Sequence, residues 1–265
     1  MDEYDPATNR WTEKSFTPLE LHHFQAVPVG DEIYLIGAMT GPYPRETPLE
    51  QVVIYHPERD TFRMGHTIPV DRRRGAAGAA FHDGQIYIAG GITNGHVGGF
   101  VPWLDRYDPQ TGTWERLADA PHPRDHFQAV IFGDRLYAAA GRTTSQATRQ
   151  VFELTEPIVD VYDLNAGQWS SLVAPLPTPR AGNMAFSWQQ QLVIGGGEAA
   201  QKTAFHEVEA FSPRTNDWTT WPSLQTGRHG SGFAVIDEHV YTASGCGNRG
   251  GSPELTTLER LRLPQ

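Results

Sequence analysis

Four arginines recur at one place in a repeated pattern. Arg74, Arg124, Arg180 and Arg228 each stand thirteen residues before a hydrophobic residue inside an apolar strand. Arginine donates paired hydrogen bonds from a planar fork, which suits carboxylates and phosphates. The pentapeptide HFQAV occurs twice, starting at His23 and at His126, and each histidine lies two residues past the arginine column. Leu21 takes the arginine's place before His23, whereas His126 is flanked by Arg124 and Asp125. Imidazole changes charge near neutral pH and can serve as a general base, so His126 is the better placed of the two. A second column, just after the apolar strands, holds Met39, Ile92, Arg142, Glu198 and Cys246. These side chains vary in a way that a scaffold does not require, which marks the column as a candidate for specificity. The stretch GCGNRGG adds Asn248 and Arg249 among glycines that permit unusual backbone angles.

Several chemistries find no support. Eleven histidines are present, yet no HExxH or other short ligand spacing occurs, so no metal site of the common kinds and no cofactor is expected. There is no GxSxG elbow and no phosphate-binding Walker loop. The net charge of −10 argues against a nucleic-acid partner, whose phosphates call for Lys and Arg. No run of 18 apolar residues marks a membrane span, and the start, MDEYDPATNRW, lacks the features of a signal peptide. The expected protein is therefore soluble, monomeric and cytoplasmic, or secreted or periplasmic if an export signal has been removed. Its single cysteine, Cys246, excludes an intramolecular disulfide.

The elements that must position these residues follow from internal repetition. An aromatic, a turn and a second aromatic seven residues on read YDPATNRW, YHPERDTF, YDPQTGTW, YDLNAGQW and FSPRTNDW, starting at positions 4, 55, 107, 162 and 211. Between them lie the apolar strands IYLIGA, IYIAGG, LYAAAG, LVIGGG and VYTASG, each ending in two small residues. Pro, Asn and Gly in the first set suit tight hairpins, and small doublets allow close approach of another chain segment. Each unit is four strands, A to D, too small to cover its own faces, and a radial array covers them. The fold expected is all-β: a propeller of five four-stranded antiparallel blades, in preference to six, closed by strands from both termini. It forms one domain over 1–265, with repeats near 20–70, 71–122, 123–178, 179–226 and 227–265, and 1–19 closing the ring.

The Gly90–Gly91 and Gly196–Gly197 doublets, the Tyr-Asp-Pro turns, the spaced tryptophans and the arginine before strand A resemble the kelch-repeat family over nearly the whole chain. The resemblance implies that strand A is innermost and that the B–C and D–A connections share one face around a central opening. The B–C connections here are long, and long loops on a rigid scaffold are where recognition usually sits. On that geometry Arg74, Arg124, Arg180 and Arg228 gather around the mouth. Guanidiniums about 10 Å apart repel by about 1.5 kcal/mol per pair, so the ring needs compensation. Two uses are open: pairing with acids such as Asp71, Asp125 and Glu198 or with backbone carbonyls, or reception of an anionic ligand. The ligand-binding set expected at the mouth is Arg74, Arg124, Arg180, Arg228, Arg142, His23, Asn248 and Arg249. The resemblance implies a recognition propeller that binds a protein segment or an acidic carbohydrate. The alternative is a stand-alone enzyme resembling N-acetylneuraminate epimerase, with His126 or Glu198 as base and Arg124 and Arg180 holding a carboxylate. A galactose-oxidase-like copper site is not expected, because its crosslinked Tyr–Cys pair and added ligand segments have no counterpart.

Aligning the A strands sets His23 and His126 against Ala76, Gly182 and Gly230, and Phe24 and Phe127 against Ala77, Asn183 and Ser231. Large residues thus sit beside small ones, as a crowded inner ring requires. The Phe, Ala and Val of HFQAV read as packing, which leaves the histidines as the functional residue of the motif.

Overall fold

The aromatic pairs seven residues apart face each other across hairpins, which fixes the outer half of each unit. Tyr107 is registered opposite Trp114, Tyr162 opposite Trp169, Phe211 opposite Trp218 and Tyr55 opposite Phe62. Their ring centroids lie 4.6 to 5.4 Å apart, the range in which aromatic pairs add to simple burial. A computed structural model describes residues 1–264 as a five-bladed β-propeller. Blades 1 to 4 each order their strands A-B-C-D, and the fifth has three hydrogen-bonded strands, A-B-C. The A strands are Gln25–Val29, Gly78–His82, Ala129–Phe132, Met184–Trp188 and Ala234–Ile236. The N-terminal hairpin, Asp2–Asp5 with Arg10–Glu13, forms its own two-stranded sheet. Its Tyr4 ring lies 6.0 Å from Tyr241 of blade 5, and the Ser15 amide beyond it donates to Asp60 of blade 1 at 2.9 Å. The N-terminal hairpin thus bridges the seam between blades 5 and 1 through packing and capping, without a shared ladder, and the surplus C-type strand is Asp2–Asp5.

Small doublets at the ends of the B strands are what let the blades approach. The second residue of three doublets donates its amide to an arginine carbonyl of the next blade: Gly91 to Arg124, Gly141 to Arg180 and Gly197 to Arg228, each at 2.8 Å. Gly90 has φ +61°, and a Cβ there would strike the Arg124 carbonyl and the Phe127 ring. Phe127 packs beside Ala89 and Ala129 between blades 2 and 3, which matches the large-beside-small pattern.

The glutamines of HFQAV are not filler. Gln25, on blade 1, accepts from the Ala79 amide at 2.7 Å and the Ala129 amide at 2.9 Å, and donates to the Ala129 carbonyl at 3.0 Å. Gln128, on blade 3, accepts from Ala185 at 2.9 Å and donates to the Ser231 carbonyl at 3.0 Å. Each copy of the motif therefore reaches the two blades that follow its own. Among the described residues no helix is long and apolar enough to cross a membrane.

Candidate functional site

A residue two to four positions ahead of each A strand occupies the left-handed region in all five blades: His23 at φ +55°, Ala76 at +51°, His126 at +54°, Gly182 at +60° and Gly230 at +65°. Glycine takes this conformation freely and histidine tolerates it better than most residues. Four backbone hydrogen bonds link the five positions in sequence, from Ala76 N to His23 O through Gly230 N to Gly182 O, at 2.6 to 3.0 Å. Paired residues just before and just after this belt place the D–A and B–C connections on the same face. The pairs are His22 with Met39, Gly75 with Ile92, Asp125 with Arg142, Ala181 with Glu198 and His229 with Cys246.

Within this belt the two HFQAV histidines meet. The rings of His23 and His126, from blades two apart, have centroids 4.8 Å apart. A third histidine, His96, lies 4.9 Å from His23 and 4.7 Å from His126. It is carried inward by a 3-10 turn, Gly95–Val97, at the tip of the Ile92–Asn94/Gly98–Phe100 ribbon in the blade 2 B–C connection. Gly95 has φ +49°, and a Cβ there would run into Glu46. One ring nitrogen from each histidine lies within 4.8 Å of the others, so the trio has the reach to hold a metal ion. His96 and His126 are buried, while His23 opens onto the mouth.

Each ring is oriented from behind. His96 Nδ1 lies 2.7 Å from Glu46 Oε1, and the His96 amide donates to Glu46 Oε2 at 3.0 Å. His126 Nδ1 is hydrogen-bonded to Asp125 Oδ1, and Asp125 also accepts from the Thr144 amide at 3.0 Å and hydroxyl at 2.8 Å. His23 Nδ1 lies 2.7 Å from His22 Nδ1, whose Nε2 is 3.1 Å from the Gly41 carbonyl. Loss of surrounding water holds His126 and His23 well below the ordinary imidazole range; Arg142 reinforces this at His126 and His96 reinforces it at His23. Burial also lowers His96, against the pull of Glu46. Burial pushes Asp125 up to about 6, with Arg142 opposing.

The arginine column is used differently from the anion-receptive expectation. Arg74, Arg124, Arg180 and Arg228 are all buried, and each is paired inside its own blade with an acid on strand C. The pairs are Arg74 with Asp105 at 2.7 Å, Arg124 with Asp160 at 2.7 Å, Arg180 with Glu209 at 2.6 Å and Arg228 with Glu259 at 2.6 Å. Other N–H groups of these arginines go to backbone carbonyls, such as Ala140 and Ile158 for Arg124 and Gly196 and Glu207 for Arg180, while Nε of Arg124 and of Arg228 is buried without a partner. Guanidiniums so engaged direct these donors into their own blades and not toward the mouth at which Arg124 and Arg180 were expected. A sequence signal for this existed: the acid stands two residues before the first aromatic of the C–D signature, or before Leu261 in the last repeat.

The second column divides between packing and polar contacts. Met39 and Ile92 are buried apolar packing around Ala76. Arg142 and Glu198 form a buried pair at 2.6 Å, and Glu198 also accepts from the Gly250 amide at 2.7 Å. Arg142 Nε lies 3.8 Å from Asp125, which ties this pair to the histidine trio. Asn248 contributes its backbone carbonyl to His229 at 2.8 Å. Arg249 is exposed over the Phe152 ring at 5.5 Å, and Arg142 approaches the same ring at 5.0 Å. Tyr43, 63% exposed, leans on His96 at 5.0 Å and meets Gln146 at 3.3 Å. Neither His96 nor Glu46 sits in a repeated column, so no spacing in the sequence marks them.

Residues 22–247 match the family model described as the KLHDC2/KLHL20/DRC7 Kelch-repeats domain. This chain belongs to the kelch-repeat family. Among curated relatives, Kelch-like protein terF of Aspergillus terreus is 27% identical over 257 residues, covering 92% of this chain and 54% of that protein. Kelch-like protein 40 of Xenopus tropicalis is 26% identical over 61% of this chain and 25% of its own length. Beta-scruin of Limulus polyphemus is 25% identical over 72% of this chain and 21% of that protein. The chain thus spans about half the length of the first relative and a quarter or less of the other two. The solved structure of YjhT superposes with a TM-score of 0.76 at 16% identity, covering 94% of this chain and 84% of that one, a likeness of fold.

Proposed function

We propose that this kelch propeller is a recognition module that takes a protein segment across the mouth formed by its B–C connections. The observation that supports it most is the contrast between the two faces. The short turns of the opposite face satisfy their own polar groups: Asp5, Asp108 and Asp163 each accept amides from their own turns at 2.8 to 3.1 Å. The B–C face instead leaves exposed Tyr43, Arg249 and Leu154, with half-buried Phe152, around a floor of histidines and charges. Tyrosine and arginine are the residue types that dominate binding energy at protein interfaces.

Panning a random peptide library on the full chain tests this reading. Selected peptides are expected to bind Tyr43→Ala and Arg249→Ala about 30-fold more weakly, the effect of losing one strong anchor. Peptides that bind both variants like the parent would place recognition elsewhere. A thermal-shift arm with N-acetylneuraminate, uronates and sugar phosphates separates the classes, since a midpoint shift by an acidic sugar abolished in Arg249→Ala would favour a carbohydrate ligand instead.

A further inference from the structure

The hydrogen bonds behind the three histidines assign their tautomers. As carboxylates, Glu46 and Asp125 only accept, so His96 and His126 carry their protons on Nδ1. The Gly41 carbonyl likewise takes the Nε2 proton of His22, which leaves His22 Nδ1 as an acceptor and puts the His23 proton on Nδ1. All three Nε2 atoms are then bare lone pairs. Two of them, on His96 and His126, lie 3.0 Å apart, hydrogen-bonding distance with no proton left to share. Such an arrangement needs a cation between the rings.

The charges around the trio ask for the same thing. Buried Glu46, Asp125 and Glu198 stand against one buried guanidinium, Arg142, which is engaged by Glu198. Two negative charges remain to be balanced, and buried charge is costly unless paired. Carboxylates behind imidazoles are also the usual support of metal-binding histidines, fixing the tautomer and raising ligand basicity.

We propose that His23, His96 and His126 hold one divalent transition-metal ion through their Nε2 atoms, at the axis of the propeller. Nitrogen ligands favour zinc and its neighbours over magnesium or calcium. Zinc–nitrogen bonds near 2.0–2.1 Å put tetrahedral ligand atoms roughly 3.3 Å apart, close to the 3.0 Å of the His96–His126 pair. The third ligand atom lies within 4.8 Å of both, so small ring rotations close the set. Three protein ligands leave a fourth position for water or an oxygen ligand, and the exposed His23 is the side from which it would arrive. The three positions come from three blades, so no short sequence spacing announces them.

Metal stoichiometry tests the proposal. The full chain is stripped with a chelator, dialysed and titrated with zinc sulfate against a chromophoric competitor, then with Co²⁺ for its visible absorption. One equivalent per chain is expected, with the intense d–d bands of a four- or five-coordinate cobalt ion and a raised thermal midpoint, since a ligand that binds only the native state stabilises it. His96→Ala and His23→Ala should each abolish this binding; His23 is exposed, so that variant keeps its fold, checked by circular dichroism. Glu46→Gln should weaken zinc about 10–100-fold, while His206→Ala, on an exposed loop, should not. No stoichiometric binding by the parent would overturn the proposal and leave a proton shared between His96 and His126. Equal binding by folded His23→Ala would overturn it as well. Peptide capture on the Tyr43 rim is read independently, so either idea can fail alone.

Discussion

Tyr55 is buried with its hydroxyl donating to Asp60 Oδ1 at 2.8 Å. Burial first, and the Asp60 bond second, push its hydroxyl up to about 12. In the unfolded chain tyrosine ionises near 10, so between about pH 10 and 12 the native state holds the proton that the unfolded state has lost. Stability must therefore fall as pH rises through that window. Denaturant midpoints taken across it should decline less steeply in Tyr55→Phe than in the parent; buried Tyr34, Tyr107, Tyr137 and Tyr162, raised by the same cause, account for slope that remains. Gln25 offers a second single-residue test. Its removal leaves the Ala79 and Ala129 amides of two other blades without their acceptor. Gln25→Ala should cost about 2–4 kcal/mol in urea unfolding, the penalty of two stranded donors.

Within the blade, the arginine and the acid form a unit that joins strands A, B and C. Blade 1 lacks both members together: Leu21 stands in the arginine column and Val53 in the acid column, and both belong to an apolar cluster with Leu35 and Leu49. The same fold position thus tolerates a buried ion pair or a hydrophobic contact, and a half of either is what should fail. Arg180→Leu alone is expected to cost about 3–5 kcal/mol, because Glu209 is left buried without its cation. Adding Glu209→Val, which copies blade 1, should recover part of that loss, the remainder coming from the Gly196 and Glu207 carbonyls that lose their donors. A double mutant no more stable than Arg180→Leu would contradict this account.

Across the whole ring the packing is uneven. Inner strands of blades 2 to 4 are buried over their first residues, whereas Ala234–Ile236 of blade 5 is exposed along its length, with Val235 and Ile236 at 41% and 37%. This strand borders the seam, where the terminal hairpin contributes contacts and no ladder. Amides of Ala234–Ile236 should therefore exchange hydrogen faster than those of Met184–Trp188 in blade 4, because local opening tracks exposed backbone and sparse burial. Equal protection would mean that the seam is as tightly closed as the other blade contacts.

Repetition in the sequence determined the blade count, the strand order, the aromatic hairpins and the face that carries the long loops, because each of those is a local pattern copied five times. The HFQAV motif was legible as packing in its Phe, Ala and Val; His126, expected at the rim, is buried in the belt, and His23 is the histidine that opens onto the mouth. Only the tertiary structure decided which arginines are spent inside their blades, since a pair such as Arg180 and Glu209 is made across strands and not along the chain. It also decided that His23 belongs with His126, and that His96 and Glu46 join them. His23 and His126 share a column but sit two blades apart, and His96 and Glu46 occupy none, so nothing in their spacing records that closing the ring brings the three histidines within one ion's reach.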